Sequence, residues 1–119
     1  MRENILKEKS YRFALRIVKL FKHLSDEKHE FVMSKQVLRS GTSIGANIEE
    51  AGQAQSKPDF VHKLAIAQKE SFETHYWIRL LRDSDLLSAK LADSLLGDCS
   101  EIQKLITASI KTSKRNMGK

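Results

Sequence analysis

The chain has 119 residues, 30% charged and 40% apolar, with a net charge of +6. That size and balance imply one globular domain over residues 1–119 with one modest core, and exclude a disordered chain. No apolar run nears the roughly 18 residues of a membrane span, "MRENILKEKS" lacks the apolar core of a secretory signal, and the lone Cys99 allows no intrachain disulfide. The expectation is a cytoplasmic protein without a membrane partner.

Apolar spacing predicts four helices, over about residues 4–25, 33–55, 57–83 and 88–114. In the first, Leu6, Ser10, Phe13, Ile17, Leu20 and Leu24 alternate steps of four and three, which draws one stripe on a helix. Lys7, Lys9, Arg12, Arg16, Lys19 and Lys22 lie mostly off that stripe. "SDEKHE" breaks the pattern, and "FVM" reads as a short extended entry to the second helix. There Val37, Gly41, Ile44, Ile48 and Ala51 continue the spacing.

Ser56, Pro58 and Asp59 form a strong start for the third helix: a capping hydroxyl, a proline in the first turn and an acid three residues after the cap. Its stripe is Phe60, Leu64, Ala67, Ser71, Thr74, Ile78 and Leu81. Val61, Phe72 and Tyr76 fall on a second side and Ile66 and Trp77 on a third, more apolar surface than a four-helix bundle covers. Ser88 is the expected cap of the fourth helix, which carries Ala92, Leu95, Cys99, Ile102, Ile106 and Ser109 inward and ends in a basic tail expected to fray. Short connections make consecutive helices antiparallel neighbours. The predicted fold is therefore all-α, an antiparallel up-and-down four-helix bundle that oligomerises, with Phe72, Tyr76 and Trp77 as the oligomer or partner interface.

"RSGTSIGANIEEAGQ" is the most unusual stretch. Gly41, Gly45 and Gly52 share a narrow stripe at i, i+4 and i+11, where small residues admit a neighbouring helix closely. The expected facing residues are Ala67, Ser71 and Thr74. A phosphate loop needs a lysine and a hydroxyl residue after its last glycine, but Gly45 is followed by Ala46 and Asn47. The Asn47 amide sits in an apolar helix and needs partners. Glu70 and Glu73 are the expected acceptors, in a polar network that sets helix register and subunit docking.

No catalytic residue, metal ligand or cofactor is predicted. A di-iron bundle needs paired Glu-x-x-His motifs, and the chain has none. Glu70 and Glu73 are one turn apart and read as hydrogen-bond or ion-pair partners rather than an acid/base pair. No nucleophile elbow supports Ser-His-Asp chemistry. Arg16 and His23, separated by six residues, fit the loose Arg-to-His spacing of some helical ribonucleases.

"SIGANIEE" at residues 43–50 and "DFVHKLAIAQKESFETHYW" at residues 59–77, with "KSYRFALRIVKLFKHL" in the first helix, resemble the bacterial four-helix-bundle proteins named for intervening sequences in 23S rRNA genes. The resemblance covers nearly the whole chain. It departs where many members have a Glu-Gly pair, here Glu49-Glu50-Ala51-Gly52, and where an arginine is replaced by Gln55. The resemblance implies a homopentamer around a central channel. It also implies kinship with the accessory proteins of diversity-generating retroelements, which bind nucleic acid and a reverse transcriptase through basic surfaces.

The surplus charge lies on the terminal segments: residues 1–28 carry eight Lys/Arg against four Asp/Glu, and residues 85–119 six against four. The leading expectation is a non-enzymatic homo-oligomeric scaffold for RNA or DNA, with Lys7, Lys9, Arg12, Arg16, Lys19 and Lys22 touching phosphates. The alternative is a protein-interaction module with a protein partner and no nucleic acid. A helical ribonuclease ranks third.

Overall fold

The computed structural model describes residues 2–118, with side chains from Asn4 onward. Four helices follow one another: α1 (Arg2–Asp26), α2 (Met33–Ala51), α3 (Lys57–Asp83) and α4 (Ala89–Met117). They form a four-helix bundle of 52 × 21 × 20 Å. Each helix packs on two neighbours: α1 on α2 and α4, and α3 on α2 and α4. The diagonal pairs stand apart. Partner numbers fall as a helix's own numbers rise. Arg39 meets Glu73 while Glu50 meets Lys63, and Gln68 meets Thr107 while Arg82 meets Asp93.

The predicted stripes make the core. Phe13, Ile17, Leu24, Ile44, Leu64, Ile78, Leu95 and Ile106 are sealed from solvent, and only Phe60 of the four stripes stays partly open, packed on the core's rim. Cys99 is a core residue. Its thiol donates to the Ser71 carbonyl at 3.3 Å, and burial, with Asp98 nearby, pushes its pKa up to about 12. Of the hydroxyls within the core, Ser71 Oγ donates to the Gln68 carbonyl at 2.7 Å and Thr74 Oγ1 reaches across α2–α3 to Ser40 Oγ at 2.9 Å, while Ser34 Oγ and Ser109 Oγ are buried without a partner among the described residues. No helix among the described residues is long and apolar enough to cross a membrane.

The helix starts follow side-chain chemistry. Ser56 Oγ accepts from Asp59 N at 3.2 Å, and Ser88 Oγ accepts from Leu91 N at 3.1 Å. The Asp59 carboxylate turns back to Gln55 N rather than to the cap residue's own N–H. The predicted extended entry to α2 is not formed, because Val32 is already in the helical region at φ −102° and ψ −63°. Glu30 explains this. Its carboxylate accepts from the N–H groups of Val32, Met33 and Ser34 at 3.2, 3.0 and 2.7 Å, three of the donors a helix start leaves orphaned. Burial works to raise its pKa, but these bonds together outweigh it and hold the group below its ordinary 4.5.

A depressed carboxylate adds stability above its unfolded pKa and loses it as pH falls through the folded one. Glu30→Ala is therefore expected to lower stability by about 1 kcal/mol at neutral pH. In urea unfolding, the gap between variant and parent should close from about pH 4.5 downward.

Two ends differ from expectation. The second helix stops at Ala51, not at residue 55. Its last turn tightens into three-residue bonds, from Gln53 N to Glu50 O and from Ala54 N to Ala51 O, ahead of the Ser56 cap. Gly52 is thus an exposed cap residue, not part of the packing face. The fourth helix does not fray at residue 114 but runs to Met117, where Gly118 N–H closes it on Lys114 O.

Candidate nucleic-acid interface

The six cations expected on α1 do not share one face. Lys7 and Lys9 lie on opposite flanks. A Cβ added to Gly52 would meet Lys7 Nζ at 2.9 Å, so this ammonium sits against the C-terminal end of α2, the negative end of its dipole. Lys9 reaches Glu101 on α4 at 3.1 Å, and Arg16 reaches Asp98 on α4 at 2.8 Å. Arg12 pairs with Glu8, one turn back on its own helix. Only Lys19 and Lys22 are both exposed and without an ion pair among the described residues.

Such partly exposed pairs add little stability, about 0–1 kcal/mol each. Their larger effect is on charge, because a cation held by a carboxylate offers less field to a phosphate. The outward face of α1 also exposes apolar side chains: Tyr11 is 63% exposed and Leu15 50%.

A groove between α1 and α4 is lined by Arg16, Lys19, Leu20, His23, Leu91 and Leu95. It runs into another that reaches Lys28, Arg82 and the start of α4. Some of the bases here are met by acids, while Lys19 and Lys28 have no ion pair among the described residues. Arg82 holds both Asp83 and Asp93, and His23 Nδ1 lies 2.6 Å from Glu27. The Arg16–His23 spacing considered for a ribonuclease thus resolves into two side chains held by separate carboxylates.

The glycine stripe of α2 faces α1, not the Ala67–Ser71–Thr74 stripe of α3. A Cβ at Gly41 would lie 2.8 Å and 2.9 Å from the branch atoms of Ile17, and one at Gly45 would lie 3.4 Å from the Ser10 carbonyl oxygen. What α2 turns to α3 is Ser40, on Thr74. The expected Asn47–Glu70–Glu73 network does not form either. Asn47 Nδ2 donates to the Ser43 carbonyl of its own helix at 2.8 Å. Glu73 accepts from Arg39 and from the Trp77 indole, each at 3.1 Å. Glu70 Oε1 is buried with no partner within the subunit.

The aromatics of α3 divide. Trp77 is half-buried, tied to Glu73 and packed edge-on against Tyr76 at 5.2 Å. Phe72 is 59% exposed and Tyr76 49%, and with Leu80 they run one turn apart along the outer face. His75 lies one turn from the Arg79 guanidinium; burial, then Arg79 and Arg82, hold its pKa below the usual range. No group of three or more His, Cys, Asp or Glu side chains able to hold a metal is present among the described residues.

The family model of the 23S rRNA-intervening sequence protein matches residues 2–108. The chain belongs to that family. A crystal structure of a protein of unknown function from the S23 ribosomal protein family of Bacteroides thetaiotaomicron is 54% identical, with a TM-score of 0.92. The match covers 93% of this chain and 99% of that one. No curated protein matches. Family membership thus accounts for the four-helix bundle, and the neighbour of this high identity brings no activity with it.

Two features of the site were missed in the sequence. Glu30 as the cap of α2 was legible in principle, as a carboxylate a few residues ahead of a helical pattern. The capture of Lys9 and Arg16 by α4 was not, since the partners lie 92 and 82 residues away.

Proposed function

We propose that this family member is a non-enzymatic, homo-oligomeric scaffold, built as an antiparallel up-and-down bundle, that binds nucleic acid through cations on its outer surface. The falling register between neighbouring helices supports the antiparallel arrangement. The observation that carries the binding reading is unmatched positive charge. Of the 21 Lys and Arg residues, ion pairs among the described residues engage Lys9, Arg12, Arg16, Arg39, Lys63 and Arg82. Among the other described ones, Lys7 meets a helix end and the rest are exposed. A polyanion gains from such a surface by releasing its counterions.

Self-assembly is supported by apolar side chains on the outward faces of α1 and α3, Tyr11 and Leu15 on one and Phe72, Tyr76 and Leu80 on the other. Diagonal helices point these faces to opposite sides of the bundle. Two different faces on opposite sides suit a head-to-tail ring better than a two-fold dimer, and the family resemblance implies five subunits. Repetition of a weak phosphate site around a ring raises avidity without any new contact.

The test is binding of nuclease-treated protein to a structured RNA and a matched DNA duplex across a salt series, with the particle mass recorded. The expected result is binding by an oligomer that weakens steeply with salt. Absence of binding at low salt overturns the nucleic-acid reading. It would favour the second reading, in which exposed Phe72 and Tyr76 dock a partner protein.

A further inference from the structure

Resting on that reading, the charge pattern of α4 says where the nucleic acid lies. The helix carries three acids, Asp93, Asp98 and Glu101. Each is engaged by a cation from a flanking helix: Asp93 by Arg82 of α3, Asp98 by Arg16 and Glu101 by Lys9 of α1. The acids of α4 are thus spent sideways. Beyond Glu101 the sequence has five Lys/Arg and no Asp or Glu.

Of these, Lys104, Lys111 and Arg115 stand at i, i+7 and i+11. At 100° per residue they fall within about 40° of one another, on a stripe about 16 Å long. All three are exposed and none has an ion pair among the described residues. The same line continues toward the start of α4 through Gly97, where a Cβ would meet nothing within 4 Å, and Lys90. Because α4 stays helical to Met117, the cations are held in line rather than on a loose tail.

We propose that the outer face of α4, with Lys104, Lys111 and Arg115 as phosphate contacts, is the surface that docks the backbone of double-stranded nucleic acid. A duplex strand sets a charge about every 3.4 Å along the axis, so a 16 Å stripe spans about five phosphates, enough for all three side chains to engage. The contacts touch no base edge, so the surface reads charge and shape with little sequence preference. The first helix is a poorer candidate, since Lys9, Arg12 and Arg16 are paired and its outer face mixes Lys19 and Lys22 with acids and with exposed Tyr11 and Leu15.

The experiment measures duplex affinity against salt for the parent, for the triple variant Lys104→Gln, Lys111→Gln, Arg115→Gln, and for a control triple on α2 and α3, Lys35→Gln, Lys57→Gln, Lys69→Gln. Circular dichroism and particle mass check that fold and assembly persist. The expected result is that the α4 triple lowers the slope of log affinity against log salt by about three, and each single substitution by about one. The control triple should lower it by less than one. A parent that binds with an unchanged slope in the α4 triple overturns this assignment and leaves the scaffold reading standing. A parent that binds phosphatidylserine vesicles but no nucleic acid overturns both.

Discussion

Gly41→Leu is expected to unfold the bundle or to remove more than about 3 kcal/mol of its stability, the upper range for forcing volume into a packed core. The reason lies in one contact. The first added carbon would already stand 2.8 and 2.9 Å from Ile17 Cγ1 and Cγ2, closer than carbons approach. Ile17 cannot swing away: it is fully buried, and its branched side chain is held to one preferred rotamer in a helix. Two helices would have to part. A domain of this size has about 5–15 kcal/mol in all, so the loss is a large fraction.

Two companion variants isolate the cause. Gly97→Ala adds a carbon into open space on α4 and should stabilise by about 1 kcal/mol through helix propensity alone. Gly41→Ala gains the same propensity but meets Ile17, and is expected to destabilise by about 1–2 kcal/mol net. In an Ile17→Ala background that penalty should shrink or reverse, a coupling readable in a double-mutant cycle. Urea unfolding measures all of these. Equal effects of alanine at positions 41 and 97 would mean that α1 and α2 are not in close approach.

The second large effect concerns the proposed assembly. Phe72→Glu with Tyr76→Glu is expected to convert that proposed oligomer to single 13.6 kDa subunits at micromolar concentration, with helix content unchanged. Both rings are about half exposed in the subunit, so the core does not need them. A bound neighbour would cover them, and buried aromatics of 150–250 Å² dominate interface energetics. Two carboxylates in that contact would have to be desolvated without partners. Ultracentrifugation decides it. An unchanged mass would place the subunit interface elsewhere, and a monomeric parent would remove the ring altogether.

The helices and their inward faces follow from local residue spacing alone. The three-and-four spacing is a property of one chain segment, and a stripe such as Leu6, Ser10, Phe13, Ile17, Leu20 and Leu24 is apolar on whichever neighbour it packs. The caps at Ser56 and Ser88 are equally local, each hydroxyl reaching an N–H three residues on. Which helix each face meets depends on how the four helices pack. Gly41 could have opened a space for α3 or for α1, and the rotation of α2 in the bundle turned it to Ile17. The same rotation left Asn47 on its own backbone instead of on Glu70. Charge was legible as a sum but not as a surface: α1 looks more basic in sequence, yet the bundle sets Asp98 and Glu101 against its cations and leaves those of α4 unmatched. Ion pairing depends on distances between residues far apart in sequence, and those distances exist only once the helices are packed.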